Sequence, residues 1–452
     1  MSVVLPKGVK ILEFPPFSDS RGFLSVAEAC QNIPFAIERV FWIYNVPQGQ
    51  HRASHSHNET YELLVPVHGS CSITVDDGET KSEILLDSPC KGIVIPPNVW
   101  CDIYDFTPGT VCVVLASHHY SKQGYTDKYS QFIDNLISAV PYSADKCDEW
   151  NSFVETSKNG TFLLDRGYMD YHSDRFTDCS LMFYHKNKLI ALLPANYNAK
   201  DRCVESHGGL TYGGLVIGTD LHSPQALDIM QTAVQYYKLN FEADRLIYKP
   251  IPYIYCTNPS QEDLYAIFRL NGTVVAKGLS TVIDLGNALP MQTLRKRGVS
   301  KARKCGVTVV PGNSGSDLEQ YWNVLSATLK SAHGVNPVHT VEEMRLLMDR
   351  FPNNIRLWLA VQEGSVVAGT VLYCTGNVVH AQYIAASDKG KNIGALDVLF
   401  DDIIRNRCGG ARYFDFGIST EHGGQLLNNG LVLQKEGFGG RSVVYDIYSL
   451  DL

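Results

Sequence analysis

Residues 49–69, GQHRASHSHNETYELLVPVHG, constrain what this chain can fold into more than any other stretch. His55 and His57 are one residue apart, and alternate residues of a β-strand leave by the same face, so both imidazoles enter one space. Glu62 follows after four more residues, and Gly49 and Gly69 close the segment at both ends. A strand carrying two histidines, a turn and a further strand satisfy that pattern, and a bare His-x-His would not demand it. Two imidazoles and a carboxylate facing one cavity can serve as a proton relay or hold a metal ion.

The surroundings read as β-structure. Residues 9–116 break into VKILEF, FLSVAEA, IERVFWIYNV, YELLVPVHG, SCSITVDD, EILL, GIVIPP and VCVVLAS, punctuated by Asp77-Gly78, Ser88-Pro89, Pro96-Pro97 and Thr107-Pro108-Gly109. Many short strands with no helical pattern between them make a sandwich or small barrel whose interior is the expected ligand site. The spacing from Gly49 through His55, His57 and Glu62 to Gly69 resembles the first signature of the cupin superfamily, which implies a jelly-roll barrel.

Four further motifs narrow the resemblance. Asp-x-Arg-Gly (Asp19 to Gly22), Arg-x-x-x-Ile-Tyr (Arg39 to Tyr44), Arg-x-x-His-x-His (Arg52 to His57) and Trp-x-x-x-Tyr-Asp-Phe (Trp100 to Phe106) follow in that order. Residues 9–133 thereby resemble the sugar-nucleotide 3,4-ketoisomerases, small cupins that act on TDP-4-keto-6-deoxyhexoses. The resemblance implies TDP-linked 6-deoxyhexose substrates and a strand-exchanged homodimer.

The chemistry explains the residue types. Moving a carbonyl from C4 to C3 means taking the proton from C3, passing through an enediol and returning a proton to C4, work suited to a base near neutrality. By resemblance His57 or His55 is that base, Tyr44 hydrogen-bonds the migrating oxygens, and Arg21 and Arg52 face the sugar or its diphosphate. Taken singly, Tyr44 reads as core and each arginine as a solvated charge. Two positions depart from the family, which usually has glutamine at Glu62 and histidine at Cys101. His55, His57, Glu62 and Cys101 thus stand where metal-dependent cupins hold a metal, in a set that could take zinc or iron. The ketoisomerases resembled here work without one, and no metal is expected.

At 452 residues the chain exceeds what a single core supports, so further domains are required. A formal charge of −8 argues against a nucleic-acid binder. Twelve scattered cysteines without a C-x-x-C pair fit a reduced, cytoplasmic setting. The start of the chain carries no signal-peptide pattern, and no apolar run reaches about eighteen residues, so no membrane span is expected.

Beyond a polar stretch near residue 140 the sequence repeats itself faintly. LMFYHKNKLIALLPAN and LWLAVQEGSVVAGTVLYCTG each read as strand, turn, strand, and each precedes a strand, an amphipathic helix and another strand. Equivalent pieces lie about 170 residues apart, too far for a solenoid, so one α/β unit occurs twice. Thr340 and Glu343 form a capping box ahead of the second copy's EEMRLLMDRF. The pieces LRKRGVSKARKCGVTV, VVAGTVLYCTGNVVHAQYIAAS, RYFDFGIST and GLVLQKEGFGG make residues 145–452 similar to a tandem GNAT acyltransferase of the kind seen in Fem-type peptidyl transferases. The expected organisation is multidomain: an all-β cupin jelly-roll barrel over 1–140, then α/β GNAT-like lobes over 141–310 and 311–452.

For acyl transfer, His380 and Asp415 are the candidates to deprotonate an amine, and Lys435 is the candidate to stabilise an oxyanion or bind phosphate. The resemblance implies acetyl-CoA as donor, though Lys391-Asn-Ile-Gly394-Ala395-Leu396 meets the acyl-CoA loop pattern of simple GNAT domains only in part. Six of the ten residues 295–304 are Lys or Arg, a solvated face or an anion site. Together the halves point to consecutive tailoring of a nucleotide sugar: isomerisation to a 3-keto sugar, transamination by a separate PLP enzyme, and N-acetylation of the 3-amino-3,6-dideoxyhexose. The alternatives are a metal-dependent cupin isomerase or epimerase beside an unrelated acyltransferase, and a non-catalytic sugar-binding cupin.

Overall fold

Two five-stranded antiparallel sheets make up the unit Met1–Ile137 of this computed structural model, which describes residues 4–313 and 315–452 and omits the side chains of 332 and 333. One sheet runs Lys10–Glu13, Lys91–Ile95, Glu62–His68, Val111–Ala116, Arg39–Tyr44, and the other Tyr125–Thr126, Arg52–His57, Trp100–Tyr104, Cys71–Asp76, Lys81–Leu86. The alternation of Cys71–Asp76 and Val111–Ala116 sends Cys71, Ile73, Val75, Cys112 and Val114 into a shared core with Ile93, Cys101 and Ile103.

The unit Ser138–Leu452 is organised by an eleven-stranded sheet. Its two parallel pairs mark the duplicated lobes: Cys203–Glu205 beside Arg245–Tyr248, joined through the helix Ser223–Asn240, and Val378–Ala386 beside Tyr413–Ile418, joined through the helix Ala395–Asn406. The hairpin turns Lys186-Asn187 and Glu363-Gly364 both carry positive φ at two central residues, the geometry that suits a two-residue hairpin loop. The last strand, Arg441–Asp451, pairs with Arg245–Tyr248 on one side and Thr273–Asp284 on the other. Thr273–Asp284 then pairs with Tyr413–Ile418, so one sheet runs through both lobes. Thr340 accepts from the Glu343 amide while the Glu343 carboxylate accepts from the Thr340 amide, so the capping box starts the helix Val341–Arg350. Among the described residues no helix is long and apolar enough to cross a membrane.

Candidate functional site

A β-bulge positions the first site. Arg52–His57 pairs with Trp100–Tyr104, but Cys101 opposes His55 whereas Asp102 opposes Ala53, so Ser54 is the extra residue. Ala53 and Ser54 take φ of 63° and 54°, and Ser54 is tied to Asp102 by a 2.6 Å hydrogen bond. Past the bulge the strand is regular, and His55 and His57 leave by one face with ring centroids 4.8 Å apart, edge to face.

The two histidines differ in what holds them. His55 Nδ1 is 3.0 Å from the Ala53 carbonyl, which can only accept, so the ring proton sits on Nδ1 and Nε2 keeps its lone pair. Burial, with the neighbouring His57, pushes the His55 pKa below its ordinary value and keeps the ring neutral. His57 is 4% exposed, and its Nε2 lies 3.0 Å from Glu62 Oε1 and 3.3 Å from His55 Nε2. A carboxylate requires a donor, so the His57 Nε2–H points at Glu62 and toward the His55 lone pair. His55 is therefore equipped to take a proton and His57 to offer one.

Arg39 and Tyr125 complete this site, and neither was among the candidates. The Arg39 guanidinium lies 3.3 Å from Glu62 Oε1 and 3.4 Å from the Tyr125 hydroxyl, while the Tyr125 ring sits 4.8 Å from His55 and 4.5 Å from His57. Arg39 opens the Arg-x-x-x-Ile-Tyr motif, and period-two alternation would have selected it over Tyr44. On Arg39–Tyr44 the residues Arg39, Phe41 and Ile43 turn inward, so Tyr44, five positions from Arg39, faces the other way and is 54% exposed. Arg21 is also outside the cavity: its side chain is 88% exposed and paired with Asp19 beside it. Arg52 is exposed and opposite Ile103, at the beginning of the histidine strand.

Among the described residues His55, His57 and Glu62 are the group of three whose ligand atoms converge, within 4.8 Å of one another. Two imidazoles and a carboxylate suit zinc or iron, and two neighbours bear on whether this set takes one. Glu62 already carries the Arg39 guanidinium. The Cys101 thiol, the fourth candidate ligand, points to the His55 carbonyl at 3.6 Å, and burial drives its pKa far above the ordinary thiol range.

The second site lies where the two lobes meet. A small cleft draws Leu163, Thr211, Tyr212 and Tyr255 from the first lobe and Tyr373, Thr375, His380 and Gln382 from the second. His380 and Asp415 are register partners on the parallel pair, and His380 Nδ1 lies 2.8 Å from Asp415 Oδ2, a contact that places the lone pair of the neutral ring on Nε2. Asp415 is fully buried. It accepts from the Tyr445 hydroxyl at 2.7 Å, the Tyr255 hydroxyl at 3.3 Å, the Gly417 amide at 2.9 Å and the Ser280 hydroxyl. Burial raises its pKa, but His380 and these hydroxyls outweigh it and hold the carboxyl down to about 2. Gly417 has φ +77° with the His380 ring 3.2 Å from where a Cβ would stand, so a side chain there would push the imidazole.

Two candidates take different places from those expected. Asp415 cannot meet an amine directly, and what it can do is orient His380. Lys435 is 5% exposed and donates to the carbonyls of Gly417 and Ile418 at 2.8 and 2.9 Å, fastening the strand end that carries Asp415. Burial lowers its pKa to about 8 despite Asp415. Ser280, Tyr255 and Tyr445 were missed because no local motif marks a residue whose partner lies 30 to 160 positions away.

Residues 7–136 match the family described as FdtA: WxcM-like, C-terminal, and residues 292–422 match the acetyltransferase (GNAT) domain family. The TDP-4-oxo-6-deoxy-alpha-D-glucose-3,4-oxoisomerase of Aneurinibacillus thermoaerophilus is 39% identical over 123 residues, which are 27% of this chain and 88% of that protein. A 3,4-ketoisomerase structure from Helicobacter canadensis is 35% identical, covering 28% of this chain and 96% of its own, with a TM-score of 0.28. The structure of FemX covers 70% of this chain and 97% of its own at 11% identity, with a TM-score of 0.51, a likeness of fold.

Proposed function

Because the chain belongs, through its N-terminal domain, to the sugar-nucleotide 3,4-ketoisomerase family and carries a GNAT acetyltransferase domain behind it, we propose that it isomerises a TDP-4-keto-6-deoxyhexose to the 3-keto sugar and N-acetylates the derived 3-amino-3,6-dideoxyhexose. The observation that carries the first half is the opposed anchoring of His55 and His57, the first by Nδ1 against the Ala53 carbonyl and the second by Nε2 against Glu62. His55 Nε2 takes the C3 proton, the enediolate oxygens lie against donors from Tyr125 and Arg39, and a proton returns at C4 from the histidine pair. Proton transfer between adjacent carbons needs a base and hydrogen-bonded oxygens, and this cavity supplies both from its own side chains.

The second half follows from the interlobe cleft. The amine attacks the acyl carbonyl, a C–N bond forms as the C–S bond of the thioester breaks, and His380 Nε2 takes the amine proton and returns it to the departing thiolate. A GNAT domain implies acetyl-CoA as donor. The 3-keto product becomes the acceptor only after its ketone is replaced by an amine, which calls for a separate PLP aminotransferase. In the cupin unit the outward stripe Val40, Trp42 and Tyr44 lies on an edge strand, an apolar face suited to a second copy of the chain, so the working form is a homodimer. A cytoplasmic setting fits Cys71 and Cys112, whose sulfurs lie 3.7 Å apart without a bond.

The deciding experiment is NMR of TDP-4-keto-6-deoxyglucose with the protein in heavy water. Deuterium at C3 and a 3-keto signal are expected; binding of the sugar without either would leave a non-catalytic cupin.

A further inference from the structure

In this chain the glycine turn that opens the helix Ala395–Asn406 is covered by the chain itself. The parallel strands Val378–Ala386 and Tyr413–Ile418 pair only as far as His380 and Asp415, and the helix Ala395–Asn406 starts from Gly394 in the left-handed region, at φ +80°. A glycine turn opening a helix beside splayed strands is a ready anion site, with amides and the positive end of the dipole pointing outward. Here the basic helix Thr293–Lys304 crosses it. A Cβ on Gly394 would stand 2.7 Å from the Gly298 carbonyl oxygen, and a Cβ on Gly298 would stand 1.8 Å from the Asp397 carboxylate. At Gly394 and Gly298 two backbones touch with no side chain between them, and the Gly298 carbonyl covers the turn.

The charge that a phosphate would supply is already present. Asp397, in the first turn of Ala395–Asn406, places a carboxylate at the helix start, and Arg295 neutralises it at 2.7 Å with both side chains largely buried. Lys301 donates to the Asn392 carbonyl at 2.6 Å and Arg303 meets Asp401 at 2.8 Å, so three of the six basic residues are spent on docking the helix. The other end is held as well: the Gln292 amide donates to Gly437 O at 2.9 Å. Val299 and Ala302 lie in the same core as Leu399 and Ile403. Lifting the helix would expose that apolar face and leave Asp397 without its partner, so it is a fixed part of the lobe and not a lid.

We propose that the helix Thr293–Lys304 permanently fills the donor-phosphate position, and that the acyltransferase unit recognises its donor by the acyl thioester end at the His380 cleft and not by the phosphates. The proposal rests on the acyl-transfer reading above and concerns which part of the donor is gripped. It makes acyl thioesters of phosphate-free thiols competent substrates.

The test compares acetyl-CoA with S-acetylpantetheine on the full-length protein and titrates adenosine 3′,5′-bisphosphate calorimetrically, with and without saturating acetyl-CoA. The expected result is kcat/KM values within about tenfold of each other, less than a phosphate clamp contributes, and no bisphosphate binding that acetyl-CoA displaces. A preference for acetyl-CoA of more than about tenfold would overturn the proposal, as would bisphosphate binding that acetyl-CoA displaces. If neither thioester is turned over, the calorimetric arm still decides: bisphosphate binding that is absent, or that acetyl-CoA does not displace, supports the filled position, and the missing turnover counts against acyl transfer alone.

Discussion

His380 Nδ1 and Asp415 Oδ2 are 2.8 Å apart because the two residues stand in register on adjacent parallel strands, at the last pair before those strands diverge. The carboxylate fixes the imidazole tautomer, and Tyr445, Tyr255, Ser280 and the Gly417 amide fix the carboxylate. An amide in place of Asp415 can present an N–H to Nδ1, which moves the ring proton to Nε2 and removes the base. Asp415→Asn is therefore expected to lower kcat of acyl transfer about a hundredfold or more with little change in KM, as removal of a general base does. His380→Ala should match it without further loss in the double variant. Loss of fold rather than of tautomer would show as a collapsed melting transition and would count against this role.

In the cupin unit the same reasoning separates the two histidines. His55→Asn removes the lone pair that faces the cavity, so deuterium wash-in at C3 should fall by at least about a hundredfold. His57→Asn should also cripple formation of the 3-keto sugar. Acyl transfer should continue in both, because the unit Ser138–Leu452 has its own core. Wild-type isomerisation in both variants would place the base elsewhere.

How much of this could be read from the residues depended on range. The histidine pair was legible because period two is a property of any strand, and the cupin and GNAT motifs brought the fold with them. The bulge at Ala53 and Ser54 was not legible, since nothing in Arg-Ala-Ser-His announces two residues with positive φ. Tyr44 stands apart from the histidines for a simpler reason: its motif was matched as a string, while alternation from Arg39 turns it outward. Asp415 and Lys435 were found by their chemistry, but burial, which only the fold decides, changed what each can do.

The relation of Arg39 and Cys101 to the histidines bears on metal use. A guanidinium sits on Glu62 and the Cys101 thiol is turned to a carbonyl, so isomerisation should survive exhaustive chelation. Elemental analysis and rate before and after dialysis check this. Stoichiometric zinc or iron, with activity lost on its removal and restored on its return, would refute it.

Two buried histidines should make the C-terminal unit acid-sensitive. Burial, with His172 nearby, lowers the His207 pKa to about 3, and burial lowers that of His339 to about 4 despite Glu343. The unfolded chain takes up these protons near the ordinary histidine value while the native protein does not, so stability is full above that value and is lost as pH falls below it. From about pH 7.5 to about pH 5 the melting temperature of this unit should drop by roughly 5 to 10 °C. His339→Phe, which keeps an aromatic ring beside Tyr171 and Tyr383, should flatten the slope. A transition insensitive to pH over that range would contradict the assignment.

The acceptor is the most exacting prediction, because it joins the two halves. The cupin moves a carbonyl to C3, and an amine at C3 is what that carbonyl becomes after transamination. The His380 cleft takes residues from both lobes, with Tyr212 and Tyr255 from one and Tyr373 from the other beside His380. Aromatic walls with few charges suit the deoxysugar end of a nucleotide sugar better than its diphosphate. Release of free thiol should therefore be seen with the TDP-linked 3-amino-3,6-dideoxyhexose and fall by about tenfold or more with the 4-amino isomer, whose nucleophile sits one carbon away from the position that His380 serves. His380→Ala should remove the difference by removing both rates. Turnover confined to the 4-amino sugar, or to an aminoacyl-tRNA donor offered in parallel, would refute the assignment and break the link between the two halves of the chain.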